Sequence, residues 1–235
     1  MKNNFTILST KVLKPYIKQQ LVDNDFNVIE HDFIKIEQLQ NPEFVSVLDS
    51  QLPNYIFTSK NAVRGFVKHV SDNKIKINKK AIFCALSGET QKALADEGFA
   101  AKMTADNAAD LAKKIVREQS FKEAIFFCGD KRREELPEIL KEGGVLQKEI
   151  ILYKNIEQVK QIENSFQAIM FFSPSGIQSF FKLNVLSKPI ACFCIGYTTA
   201  NALKEHKVSN KIIVSNYPSQ QNIVDVLLNY FNIKN

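Results

Sequence analysis

Six short stretches of this chain place a hydroxyl or glycine residue directly after an apolar run and before residues at helical spacing. They fall at Ser59, Ser87, Gly129, Ser173, Gly196 and Ser215. The clearest is Ile169-Met170-Phe171-Phe172-Ser173-Pro174-Ser175-Gly176-Ile177, which reads as a buried strand turning into a helix. Ser173 and Ser175 are placed to cap that helix, and Gly176 lets the backbone approach a ligand closely. The first turn of a helix presents N–H groups and a partial positive charge, so the chemistry such turns suit is the holding of an anion. A single strand–turn–helix of this kind is commonplace and carries no function. The weight comes from recurrence.

The usual catalytic signatures do not occur. There is no Gly-x-Gly-x-x-Gly, no P-loop and no nucleophile elbow. His31, His69 and His206 sit in unrelated settings that suggest surface or linker roles, and no histidine accompanies any cysteine as nucleophilic catalysis would need. Glu134 and Glu135 share a segment with Lys131, Arg132 and Arg133, which reads most simply as a solvated face. Lys60, Arg64, Arg132 and Arg133 have the charge to meet carboxylates, with solvated surface as the default for each. Backbone amides, hydroxyls and a few cations are what remains to act with.

Those positions must be carried by a substantial core. The 235 residues are 45% hydrophobic and 24% charged, enough for one large or two small soluble domains. A net charge of +6 favours acidic partners. The lysines are scattered, with no zinc-finger spacing, RNA-recognition signature or basic helix, so a polyanionic small molecule is a better fit than nucleic acid. The residues after Met1 lack the apolar stretch of a signal peptide and no run is long enough to span a membrane, so the expected location is cytoplasmic. Cys84, Cys128, Cys192 and Cys194 all fall in or beside expected strands without a His or acidic cluster, and a metal site is not expected.

In chain order, Phe5–Thr10 reads as a strand and Val12–Asp23 as a helix started at Pro15. Phe26–Glu30 is a second strand running on into Phe33–Ile36, with no turn signal before Glu37. Pro42 opens a helix through Leu48. The stretch from Tyr55 to Phe66 then matches Ile169 to Phe180 at an offset of 114, set by Ser59 and Ser173. Ala85 to Leu94 matches Cys194 to Leu203 at an offset of 109. Two matches in the same order imply a duplicated architecture, the difference in offset being assigned to a longer lysine-rich loop from Ser71 to Lys80. Ala124–Asp130 leads to a helix around Leu136–Lys141, Gln147–Tyr153 is a strand, and Lys211–Ser219 precedes a helix from Gln221 to Tyr230.

Alternating strands and helices require parallel sheets covered on both faces. The expected fold is α/β, with two lobes, each a parallel sheet flanked by helices. If the chain crosses at residues 30–37 and returns at 151–158, one lobe is discontinuous (1–33 and 156–235) and the other, 36–152, is inserted. Ligands bind beyond the carboxyl ends of such strands, so all six turns are expected to face one cleft between lobes that rotate about those crossings.

The ordered set Phe57-Thr58-Ser59-Lys60-Asn61-Ala62-Val63, Thr90, Phe171 through Gly176, and Ile195-Gly196-Tyr197-Thr198-Thr199-Ala200 resembles the uroporphyrinogen-III synthase family. The segment from Gly129 through Arg133 to Gly144, ending in the strand that carries Tyr153, is also similar to it. Departures from the family pattern are Lys11 for a usual Arg, Asp32 for a linker Pro, Ser87 for a Gly and Gln91 for an Ala. The resemblance implies two α/β lobes joined by a two-stranded connection. It also implies a cyclising lyase that closes hydroxymethylbilane to uroporphyrinogen III, losing water and inverting ring D, without metal or organic cofactor. In the family's proposed mechanism, hydroxide departs to leave an azafulvene, which forms a spiro intermediate and rearranges. By the same resemblance Tyr153 assists departure of the hydroxyl. Substrate contacts fall to Thr58, Ser59, Asn61 and Ala62 in one turn and to Ser87 and Thr90 in the next. Further contacts fall to Gly129 and Arg132, to Ser173, Ser175 and Gly176, and to Gly196, Thr198 and Thr199. A monomer is expected, with no nucleic acid or membrane partner and possible hand-over of substrate from hydroxymethylbilane synthase. The alternative reading is a non-catalytic, two-lobed module that closes on an anionic small molecule.

Overall fold

The computed structural model describes residues 5–49, 54–119, 121–163, 165–187 and 189–231. From the amino terminus come β1 (Phe5–Ser9), α1 (Pro15–Asp23), β2 (Phe26–Glu30), β3 (Ile34–Gln38), α2 (Glu43–Asp49), β4 (Asn54–Phe57) and α3 (Lys60–Asp72). Next are β5 (Ile82–Leu86), α4 (Glu89–Asp96), β6 (Ala101–Ala105), α5 (Ala108–Glu118), β7 (Glu123–Gly129), α6 (Glu135–Glu142) and β8 (Leu146–Glu157). The chain ends with β9 (Ala168–Phe171), α7 (Pro174–Phe181), β10 (Ala191–Cys194), α8 (Tyr197–Glu205), β11 (Ile212–Val214) and α9 (Gln220–Tyr230). It divides into two compact units, Met1–Lys35 with Ile156–Asn235, and Ile36–Asn155.

Sequence order explains why the strands other than β3 pair in parallel: nearly every strand is followed by a helix that returns the chain to the same edge, whereas β3 runs antiparallel to β8, with Leu39 N–H donating to Leu152 O and Gln158 N–H to Phe33 O. The first unit holds a five-stranded sheet in the order β11-β10-β9-β1-β2, and β3 to β8 form a six-stranded sheet in the order β3-β8-β7-β4-β5-β6. Setting aside β3, the two orders correspond strand for strand, with β4, β5 and β6 standing for β9, β10 and β11, and β7 and β8 for β1 and β2. The duplication read from two local matches therefore extends through five strands of each sheet. Its assigned cause needs correction. The loops 73–81 and 182–190 are equal in length, whereas α3 has 13 residues and α7 has 8, so the extra residues lie in a longer helix and not in the lysine-rich loop.

Strands buried on both faces read as unbroken apolar runs, because alternate side chains must fill two cores. In the six-stranded sheet, Tyr55, Phe57 and Phe127 pack with Phe44, Phe66 and Phe83 on one face, while Ile56, Phe126 and Cys128 pack with Leu111, Ile115 and Leu136 on the other. In the first unit Ile7, Met170 and Phe193 meet α1 and α9, and Leu8, Ile169, Phe171 and Cys192 meet Phe33, Ile177 and Leu203.

β2 does not run on into β3: the two strands belong to different sheets, and the chain turns between them at residues 31–33. There His31 Nε2 lies 2.9 Å from the Gln158 carbonyl, and Gln158 N–H donates to Phe33 O at 2.9 Å, so the two crossings run paired. His69 overturns its expected surface role. It is buried; Nδ1 lies 2.8 Å from Gly65 O and Nε2 accepts the Asn41 N–H, so the ring ties α3 to the start of α2. β6 and α5 were not anticipated, because the polar Lys102 and Thr104 break the apolar run of that strand.

Candidate functional site

Each sheet has one topological switch point, where successive connections leave in opposite directions and a crevice must open at the carboxyl ends of the strands. In the six-stranded sheet it lies between β4 and β7. A cavity of about 360 Å³ opens there, lined by Thr58 and Ser59 after β4, Gly129, Lys131, Arg132 and Arg133 at and after β7, and Tyr153 of β8. Leu86, Asp106, Asn107, Ala108, Phe126 and Leu136 complete it. Ligand pockets span roughly 300–1,000 Å³, so this one holds part of a large ligand rather than the whole of a tetrapyrrole.

Tyr153 is held by two neighbours. Gly129 pairs with it in register, and a Cβ on Gly129 would lie 2.4 Å from Tyr153 Cζ and 2.9 Å from its hydroxyl oxygen; the ring occupies the space a side chain would need. Asp130 N–H donates to Tyr153 O at 3.0 Å, while Asp130 Oδ1 accepts the Asn155 N–H, clamping the loop after β7 onto β8. Ser59 lines the same cavity as the Tyr153 ring. Burial raises the phenol above its ordinary value, opposed by the nearby Ser59 side chain and reinforced by Cys128 and Asp130. Tyr153 is therefore a neutral hydrogen-bond donor at physiological pH.

The turns differ in how their helix amides are used. Ser59 Oγ accepts the Asn61 N–H at 3.1 Å and Ser59 O accepts the Ala62 N–H, so the first turn of α3 is capped by its own chain. α7 repeats this: Ser173 Oγ accepts the Gly176 N–H at 3.0 Å, and Ser175, expected to share the capping, does not. The caps of α4 and α8 are Gly88 and Gly196, which have no side chain to offer. Among the described residues the N–H groups of Tyr197, Thr198 and Thr199 meet no intrachain acceptor. Capping chemistry thus follows the duplication, serine at α3 and α7 and glycine at α4 and α8. After the Gly129 turn, Glu134 likewise begins α6 without a side-chain cap, so the turns differ in what their amides offer. Gly88, not Ser87, ends the loop before α4, because its φ of 75° lies in the left-handed region that only glycine enters cheaply. The Ser215 hydroxyl is spent on Tyr217 O in its own loop and on Asn222 Oδ1 in the first turn of α9.

The cavity brings together Thr58, Ser59, Gly129, Arg132 and Tyr153 of the sequence-derived set. Asn61 and Ser87 are half-buried beside it, and the side chains of Ala62, Thr90 and Thr199 are buried in their helices, leaving only their backbones able to meet a ligand. Ser173, Ser175, Gly176, Gly196 and Thr198 lie at the starts of α7 and α8 in the first unit. Arg132 is less available than its charge suggests: Nε donates to Glu149 and Nη1 to Glu134, both at 2.5 Å, and these bonds raise its pKa further. Arg133 has no ion-pair partner among the described residues. The reading of the sequence missed Asp106 and Asn107. The signal was present in Asn107-Ala108-Ala109-Asp110, where Asn107 Oδ1 accepts the Asp110 N–H at 2.9 Å as an N-cap.

No curated protein matches the chain in sequence. In structure it is similar to a mutant uroporphyrinogen III synthase from the extremely thermophilic bacterium Thermus thermophilus, with a TM-score of 0.73 at 15% identity over 98% of this chain and 100% of that one. It is similar to uroporphyrinogen-III synthetase from Helicobacter pylori, with a TM-score of 0.72 at 18% identity over 97% and 99% of the two chains. At these identities the likeness establishes the α/β fold. The family model described as Uroporphyrinogen-III synthase HemD matches residues 16–224. With its fold and nearly its whole length accounted for in this way, the chain belongs to the uroporphyrinogen-III synthase family of cyclising lyases.

Proposed function

We propose that the cavity at the β4/β7 switch point receives the hydroxymethyl-bearing end of hydroxymethylbilane, and that Tyr153 donates a hydrogen bond to the departing hydroxyl. The observation that carries this reading is the neutral Tyr153, held against Gly129 and by Asp130 inside a cavity that Ser59, Lys131 and Arg133 also line. A neutral donor lowers the cost of releasing hydroxide without titrating at working pH. The azafulvene left behind is electrophilic, and attack on it gives the spiro intermediate whose rearrangement inverts ring D. Ring closure without inversion needs no enzyme, so the protein's task is to impose one geometry on the chain of pyrroles.

Each pyrrole carries acetate and propionate arms. In the second unit Arg133 and Lys131 are positioned to meet such acids. In the first unit the open amides of Tyr197, Thr198 and Thr199 offer a further anchoring point. Thr58, Ser87, Gly129, Ser175 and Gly176 shape the surfaces beside these groups. We further infer that the protein acts as a cytoplasmic monomer; no helix among the described residues is long and apolar enough to cross a membrane. Its substrate is a reactive intermediate, which favours direct hand-over from hydroxymethylbilane synthase.

The test is to supply hydroxymethylbilane to the purified protein and separate the products by isomer. The type III isomer in excess over the unassisted type I product is expected. Type I alone would remove the proposal. Tyr153→Phe is expected to lower kcat while leaving the melting temperature within a few degrees, and unchanged kcat at saturating substrate would show that the hydroxyl takes no part.

A further inference from the structure

We propose that Glu134 is a placeholder carboxylate: it occupies Nη1 of Arg132 until an acetate or propionate arm of the bilane displaces it, while Glu149 keeps the arginine in place. This rests on the reading of the cavity at the β4/β7 switch point as the substrate site.

The two carboxylates on Arg132 are unequal. Nε donates to Glu149 Oε2 and Nη1 to Glu134 Oε1, both at 2.5 Å. The Glu149 side chain is 25% exposed and that of Glu134 65%, against 22% for Arg132. An exposed ion pair is screened by water and must order a long side chain, so the Glu134 bond is the weaker of the two. Glu149 is fixed by the sheet, where β8 pairs it with Phe126 of β7, so it holds the guanidinium from a rigid element. Glu134 stands at the start of α6 and its side chain caps none of that helix's amides. Once released, its carboxylate remains beside the electropositive first turn of α6, which lowers the cost of the exchange. A guanidinium offers five N–H donors in a planar fork, and Glu134 takes one of them. Among the described residues Nη2 meets no acceptor, so a carboxylate lying along Nη1 and Nη2 gains two parallel bonds where Glu134 has one. Arg132 lines the same cavity as Lys131, Arg133 and Tyr153, so the arm that reaches it belongs to a substrate already in place. A ligand without a carboxylate at that point cannot displace Glu134, which makes the ion pair a filter for acidic pyrroles.

The experiment is a double-mutant cycle in the full-length enzyme with Glu134→Gln, Arg132→Gln and Glu134→Gln/Arg132→Gln, and with Glu138→Gln as control. kcat, KM and isomer ratio are measured on hydroxymethylbilane at about 0.15 M salt, where charges not in contact are largely screened. Glu134→Gln is expected to lower KM about threefold at unchanged kcat, because substrate no longer competes with an exposed ion pair. Glu138→Gln removes the same charge from the first turn of α6 and should change KM by less than about 1.5-fold. Arg132→Gln should raise KM about tenfold, the worth of one charge-assisted hydrogen bond, and in that background Glu134→Gln should no longer lower it. If Glu134→Gln leaves KM unchanged, raises it, or lowers it no more than Glu138→Gln does, substrate does not displace Glu134 and the proposal falls. It falls equally if the drop in KM persists in full once Arg132 is gone. Glu134 and Glu138 are exposed, so their comparison decides the matter even where Arg132→Gln does not fold. Wild-type protein that yields type I isomer alone would instead remove the reading of the cavity on which the proposal rests.

Discussion

Gly129→Ala tests the site with the smallest possible addition. A methyl group at Gly129 would stand 2.4 Å from Tyr153 Cζ, 2.5 Å from Cε2 and 2.9 Å from the hydroxyl oxygen. Carbon atoms pack at about 3.5–4.0 Å, so the ring must withdraw by at least ~1 Å. It has little freedom to do so by backbone movement, because Tyr153 O is bonded to Asp130 N–H and Gly129 is paired with Tyr153 in the sheet. The ring therefore tilts about its own side-chain bonds and the hydroxyl leaves its place in the cavity. A displacement of this size at a reacting group costs about 10²-fold in rate, and the overpacking itself about 1–3 kcal/mol of stability, or a few degrees in Tm. Gly143→Ala is the control. Its methyl group would lie 2.3 Å from Val116 Cγ2, an equally severe clash at the end of α6 and outside the cavity lining. Both variants should melt earlier, and only Gly129→Ala should lose kcat and release a larger share of type I isomer. A Gly129→Ala enzyme with wild-type kcat and isomer purity would refute the reasoning that Tyr153 must occupy this position.

Four further outcomes are expected. Because burial raises the Tyr153 phenol, the kcat profile should lack any Tyr153 limb through neutral pH and fall only above the ordinary tyrosine range near ~10; a limb below that range that vanishes in Tyr153→Phe would contradict this. Gly196→Asp should cap α8, raising stability by a few tenths of a kcal/mol, and should raise KM by roughly tenfold by filling the amides with the protein's own carboxylate; an unchanged KM would exclude those amides as an anchoring point. Phe57 is fully buried with ring centroids 5.3 Å from Phe66 and 5.2 Å from Phe127, so Phe57→Ala should cost about 3–5 kcal/mol and lower Tm by roughly 10 °C, measured by calorimetry. Burial pushes the thiols of Cys84, Cys128, Cys192 and Cys194 up to about 12, so they stay protonated when folded while an unfolded chain ionises nearer 9.0; thiol reagents should label them only as fast as the protein opens, and stability should fall as pH rises above about 9.

Much of the architecture is written locally. The runs Tyr55-Ile56-Phe57 and Ile169-Met170-Phe171 are apolar at every position because both faces of their sheets are covered, and that property needs no knowledge of the partners. The serine that caps a helix sits beside the amide it serves, so Ser59 and Ser173 were readable, and so was the repeat they belong to. β6 was not, since a strand carrying Lys102 and Thr104 is held by its neighbour β5 and not by its own pattern. Residue type alone also misjudged His69, whose polarity is satisfied inside the core by Gly65 and Asn41.

The sequence by itself determined the fold class, the strand-end turns and, through the order and spacing of short motifs, the family. Tertiary structure alone decided which of those groups the protein itself already engages. Arg132 is engaged by Glu149 of β8, the amides of α3 are spent while those of α8 are not, and Tyr153 meets Gly129 and shares a cavity with Ser59 only because β8, β7 and β4 lie side by side. The reason is physical: burial leaves a periodic trace along the chain, whereas the pairing of a polar group depends on which distant segment the sheet brings to it.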